Sequence, residues 1–160
     1  RKCAAREWCM TQAAVRGRQA GLSLTVQYAH GDARLPSRPQ LRRWVSAALE
    51  RPAQVTIRFV DADEGRALNR EFRGKDYATN VLTFSYEEKP LVGDLVICTP
   101  VVLREAKEQR KDCGAHFAHL VVHGMLHLQG YEHEKGERLA QRMEAREREV
   151  LARFGIADPY

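Results

Sequence analysis

The segment His123-Gly-Met-Leu-His127-Leu-Gln-Gly130-Tyr-Glu-His133 constrains this chain most, because three imidazoles recur at i, i+4 and i+10 with a glycine at i+7. At 3.6 residues per turn, His123 and His127 leave one helix face a single turn apart, close enough for two nitrogens to share one ion. Gly130 can take the left-handed conformation that stops a helix, so the chain can fold back and deliver His133 to the same point. Three neutral nitrogens around a tetrahedral zinc leave one position for water, whose pKa then falls to about 7. Such water is a nucleophile at neutral pH.

A plainer reading competes. Two histidines four apart on an amphipathic helix are commonly core or surface residues that bind nothing. The third histidine and the glycine argue against it, as does clustering: five of the six histidines (His116, His119, His123, His127, His133) lie within eighteen residues, and His30 alone reads as structural. A purely structural zinc is normally closed by a fourth protein ligand, often a thiolate. Cys113 precedes His123 by ten residues, about 15 Å along a helix axis. Cys113 therefore cannot reach, and Cys98 could do so only through the fold. An open site with one zinc per chain is the expectation.

A chain of 160 residues supports one well-buried core and leaves little room for a second domain. The net charge of +5 and pI near 9.2 favour an anionic partner, a weak signal alone. No apolar run approaches the ~20 residues that span a bilayer. Cys3, Cys9, Cys98 and Cys113 form no CxxC pair and follow no secretory apolar segment, so they read as reduced thiols of a cytoplasmic protein. Residues 1–21 set Arg1, Lys2, Arg6, Arg16 and Arg18 against Glu7. They read as a poorly ordered basic extension, or less readily as a transit segment, ahead of one domain over residues 22–160.

Period-two alternation at Leu22, Leu24, Val26 and Tyr28 predicts a first strand, and Val55, Ile57 and Phe59 a second. Between them Leu41, Trp44, Val45, Ala48 and Leu49 follow helical spacing behind Ser37 and Pro39. Asp61 and Glu64 offer a capping box for a helix that Gly74 stops. Residues 80–86 and 93–99 are β-rich runs joined by a turn-like 87–90 segment, suggesting a hairpin. Pro100 opens a helix to about Asp112, Gly114 breaks the chain, and 115–129 forms the histidine helix. A last helix, about 136–154, carries Leu139, Met143, Val150 and Phe154 on one side, and its dense Glu/Arg face reads as solvated. The fold class is α+β: a small mixed β-sheet of about four strands packed with about five helices, the zinc site at the end of a central helix.

Two stretches, Arg73-Gly-Lys-Asp leading into Thr79-Asn-Val-Leu-Thr-Phe84 and the HGxLHLxGYxH segment at 123–133, resemble the bacterial YbeY family of single-strand-specific endoribonucleases and ribosomal RNA maturation factors. Gly93-Asp-Leu-Val-Ile-Cys98 and Asp158-Pro-Tyr160 extend the resemblance over roughly Leu22 to Tyr160. It implies zinc on His123, His127 and His133, with Arg73 the residue tied to catalysis. It also implies a role in 16S ribosomal RNA 3′-end maturation and 70S ribosome quality control, with the small ribosomal subunit and a ribosomal protein or GTPase as partners. Ala78 and Glu132 stand where the family commonly has proline and aspartate; neither is a ligand.

Phosphodiester cleavage needs a nucleophile, stabilisation of extra charge on phosphorus and help for the leaving oxygen. Arg73 presents a planar donor fork suited to a phosphate and Lys75 adds a point charge, although basic residues at a helix end also simply favour its dipole. Asp94 and Glu132 are candidate orienting or proton-transfer groups, Lys75 and His119 candidate substrate contacts, and Tyr77, Tyr86 and Tyr131 candidate stacking platforms. Two rivals stand beside the nuclease. One is a zinc peptidase, whose general-base glutamate would follow the first histidine; here that position is Gly124. The other is a non-catalytic assembly factor whose zinc only stabilises the fold.

Overall fold

The computed structural model describes residues 21–160; the basic extension assigned to the residues before them lies outside that range. Four strands and five helices follow in order: β1 Leu22–Tyr28, α1 Arg38–Ala48, β2 Ala53–Val60, α2 Ala62–Arg73, β3 Val81–Glu88, β4 Leu91–Cys98, α3 Thr99–Glu108, α4 Cys113–Leu128 and α5 Glu137–Ala152. The sheet order is β1-β2-β4-β3. β1 runs parallel to β2 (Leu22 opposite Ala53), β2 parallel to β4 (Ala53 opposite Leu91), and β3 antiparallel to β4 (Val81 opposite Ile97). The mixed α+β architecture expected from the alternating runs is therefore present.

Side chains alternate across a strand, so each face of the sheet acquires its own core. On one face Val55, Ile57, Phe59, Leu91, Leu95 and Ile97 pack under α1, α4 and α5. On the other, Val60, Leu82, Val96 and Cys98 meet Val101 of α3 and Leu68 of α2. The helix starts follow capping chemistry. Ser37 and Gln40 close a reciprocal capping box on α1, and Asp61 caps α2 by accepting from Glu64 N. Gly74 ends α2 in the left-handed conformation at φ 69°, as its position suggests.

One boundary differs from expectation. Gly114 does not break the chain; it lies in the first turn of α4, which begins at Cys113 because the Asp112 carboxylate accepts from Ala115 N. A side-chain cap offsets a glycine where few helical hydrogen bonds have yet formed. The break falls earlier, at Arg110, whose φ is 54°.

Among the described residues no helix is long and apolar enough to cross a membrane. Cys98 and Cys113 are free thiols, with Cys98 buried on the α2 face of the sheet.

Candidate metal centre

α4 is buried on nearly every side. Past its first turn the residues that stay partly open are His119, His123 and His127, at a strict interval of four. Phe117, Val121, Val122, Met125 and Leu126 fill the core around them. A helix so apolar is held by burial, and the partly open seam left over is lined with imidazoles.

The helix then stops in a way that turns the chain back. Gly130 has φ 95°, its N–H donates to His127 O at 3.0 Å, and Tyr131 N–H donates to Leu126 O at 3.0 Å. That pair of bonds is a Schellman cap. It returns the chain over the helix end and sets the His133 ring 4.7 Å from that of His127 and 5.1 Å from that of His123.

The three rings form a triangle with one nitrogen from each within 4.8 Å of the others, a group that could hold a metal ion. His123 Nε2 and His127 Nε2 are 3.1 Å apart. Two nitrogens sharing a tetrahedral zinc with bonds of 2.0–2.1 Å stand about 3.3 Å apart, so this donor set fits such an ion. Burial, helped by the neighbouring His123 and His133, holds His127 down to about pKa 4 against a hydrogen bond with the Tyr131 backbone and the Glu132 charge. The ring is thus neutral and keeps a free lone pair. His133 is the open corner, its side chain 39% exposed, with Glu134 at 3.7 Å. Neither described thiol approaches as a fourth ligand: Cys98 Sγ lies 3.5 Å from Asp61 O across the sheet, and Cys113 opens α4.

Behind the triangle lies a residue that sequence reasoning missed. Glu147 of α5 is fully buried. His123 Nδ1 lies 2.5 Å from its Oε1 and His119 Nε2 3.1 Å from its Oε2, while the Tyr160 hydroxyl donates to Oε2. Burial pushes this carboxyl up, but the hydrogen bonds from His119, His123 and Tyr160 outweigh it and hold the group at about 2. The charged face of α5 is therefore not wholly solvated. A signal was present: Glu147 stands four residues from both Met143 and Leu151, on the stripe that α5 buries.

The other expected site residues stand outside the three rings. Arg73 and Lys75 are exposed at the end of α2. Their neighbours Arg66 and Arg70 are drawn to Asp76, at 2.8 and 3.9 Å, whereas Arg73 and Lys75 pair with no carboxylate among the described residues. The loop between them and β3 is pinned: the Asn69 amide donates to Tyr77 O at 2.7 Å, and Asn80 bonds Val81 N–H at 2.7 Å and Glu105 at 3.3 Å. Glu105 in turn lies 3.6 Å from buried His116 of α4. Asp94 sits on the sheet face opposite α4, where the Tyr86 hydroxyl donates to it at 2.9 Å. Glu132 lies near His127 and 3.6 Å from Lys135. His119 is placed against Glu147 and not at the open corner. Tyr77 and Tyr86 are exposed.

The profile of the family described as Endoribonuclease YbeY matches residues 33–155. Curated relatives of that name are 58% identical over 142 residues in Thiobacillus denitrificans, covering 87% of this chain and 96% of the relative, and 57% identical over 145 residues in Cupriavidus pinatubonensis, covering 87% and 72%. The solution structure of TM1509 from Thermotoga maritima superposes with a TM-score of 0.56 at 25% identity, over 86% of this chain and 98% of that one.

Proposed function

The chain belongs to the YbeY endoribonuclease family, and on that premise we propose that it is a zinc-dependent, single-strand-specific endoribonuclease acting in 16S ribosomal RNA 3′-end maturation and 70S ribosome quality control. The observation that carries this reading is the triangle of His123, His127 and His133, with neutral His127 at one corner and a solvent-facing corner at His133. In this reading residues 22–160 form one cytoplasmic metallohydrolase domain.

When bound, the ion supplies Lewis acidity, polarising a phosphoryl oxygen and acidifying water. The chain's own residues do the rest. His123, His127 and His133 would hold the ion, with His133 the most exposed of the three. In this reading Arg73 is the catalytic residue, its planar fork suited to a non-bridging phosphate oxygen where charge builds in the transition state. Lys75 adds a second cation along the RNA backbone, ahead of the loop that the Asn69 and Asn80 side chains pin. Glu132, beside His127, is the nearer candidate for moving a proton. Asp94, whose carboxylate holds the Tyr86 hydroxyl, is a candidate orienting group. The net charge of +5 suits a polyanion, and the implied partners are single-stranded RNA, the small ribosomal subunit and a ribosomal protein or GTPase.

A peptidase reading loses support at Gly124, which faces Leu95 and Thr83 of the sheet, so a glutamate base has no place there. The test is cleavage of single-stranded RNA, duplex RNA and casein with and without chelator. Chelator-sensitive cut of single-stranded RNA alone supports the proposal; hydrolysis of casein, or intact RNA throughout, contradicts it.

A further inference from the structure

We propose that Glu147 is a positioning residue for the metal centre: its carboxylate fixes His123 as the Nδ1–H tautomer, so that the Nε2 lone pair points to the place shared with His127 and His133, and His119 and Tyr160 lock that carboxylate in place. This rests on the metal-binding reading above.

An ionised carboxylate accepts hydrogen bonds and donates none. The 2.5 Å contact from His123 Nδ1 to Glu147 Oε1 therefore requires the proton to sit on Nδ1, which strips it from Nε2 in the neutral ring. Nε2 is the nitrogen that faces His127. A histidine that binds a metal through one nitrogen commonly donates the other N–H to a carboxylate, which fixes ring orientation and raises ligand basicity.

A buried charge is costly unless fully hydrogen-bonded, so Glu147 needs more than one donor. His119 Nε2 and the Tyr160 hydroxyl supply them at Oε2. His119 Nδ1 is buried without a partner, as expected if its proton is committed to the carboxylate side. Tyr160 is held for this task. Its ring meets His119 edge-on at 5.5 Å, Arg148 lies over it at 5.3 Å, and Arg148 also bonds Asp158 at 2.8 Å, while Tyr160 N–H donates to Asp158 at 2.9 Å.

His119, His123 and Glu147 also lie close enough to hold an ion of their own. That use competes with the first site: an ion on His123 Nδ1 leaves the proton on Nε2 and breaks the triangle. With both carboxylate oxygens already engaged, the hydrogen-bonded relay is the arrangement that serves His127 and His133.

The test combines nitrogen-15 imidazole NMR of the metal-free protein with competition titration of zinc, for wild type, Glu147→Leu, Glu147→Gln and Tyr160→Phe. Expected are a pure Nδ1–H tautomer for His123 in wild type, a mixed tautomer and a zinc affinity lower by about 10–100-fold in Glu147→Leu, and partial rescue in Glu147→Gln, which keeps an acceptor oxygen. Tyr160→Phe removes one hydroxyl from an exposed ring and shifts both readouts slightly the same way. Wild-type tautomer and affinity in folded Glu147→Leu overturn the proposal. If Glu147→Leu does not fold, wild-type values in both Glu147→Gln and Tyr160→Phe overturn it. A wild-type protein with His123 fixed as Nδ1–H but no zinc affinity overturns the metal reading itself.

Discussion

Gly124 and Leu95 touch so closely that a Cβ on Gly124 would fall 2.6 Å from Leu95 Cδ2. The helix backbone is thereby pressed onto β4, and His123, the next residue back, is turned away from the sheet toward His127 and Glu147. Gly93 works in the same direction at the far end of the contact, where a Cβ would lie 2.8 Å from Leu128 Cδ2 and 2.9 Å from Phe84 O.

Gly124→Ala should therefore destabilise the protein. Overpacking a tight core costs about 1–3 kcal/mol, while the better helix propensity of alanine returns up to about 1 kcal/mol. Urea unfolding should show a net loss with unchanged slope. Equal or higher stability would mean that α4 can shift off the sheet freely.

Arg73→Ala should keep fold and zinc and lose RNA cleavage, by roughly 10²–10³-fold if Arg73 stabilises transition-state charge. Arg66→Ala, at a residue already paired with Asp76, should cost far less. Turnover on single-stranded RNA by side-by-side preparations checks this, and full activity of Arg73→Ala excludes that residue from the mechanism.

Stability of the metal-free protein should fall in two pH windows. His127 is held at about 4, below the ordinary 6.5, so the unfolded chain binds a proton there that the folded one refuses, and stability drops as pH falls from 6.5 toward 4. Glu147 is held at about 2, below the ordinary 4.5, so its contribution is whole above 4.5 and vanishes as pH falls through 2. Melting temperatures across pH 7 to 2 should show both declines. His127→Gln should flatten the upper one and spare the lower; an unchanged upper decline in that variant would assign it to another group.

The cap at Asp112 sets where α4 begins, so Asp112→Ala should cost about 1 kcal/mol by loss of the hydrogen bond to Ala115 N–H. Denaturant titration measures this, and a neutral result would place the helix start elsewhere.

Much of this centre was legible from residue spacing. The i, i+4, i+10 histidines, the left-handed Gly130 and the empty side chain at Gly124 each express a local rule that needs no tertiary context. The Asp61 cap and the left-handed Gly74 were legible for the same reason. Gly114 misled because a glycine reads as a breaker until the Asp112 bond is seen. Glu147 escaped because an acid amid Glu/Arg pairs looks solvated, and its burial depends on three donors brought from α4 and the 158–160 segment. The sheet order, with β4 between β2 and β3, is likewise a matter of long-range pairing.

The most direct measurement is zinc K-edge X-ray absorption on the protein loaded with one equivalent of zinc. The account predicts three imidazole ligands from His123, His127 and His133 plus one oxygen at about 2.0 Å, with no sulfur, and loss of stoichiometric binding in His127→Ala. A sulfur scatterer, fewer than three imidazoles, or undiminished binding by His127→Ala would contradict it.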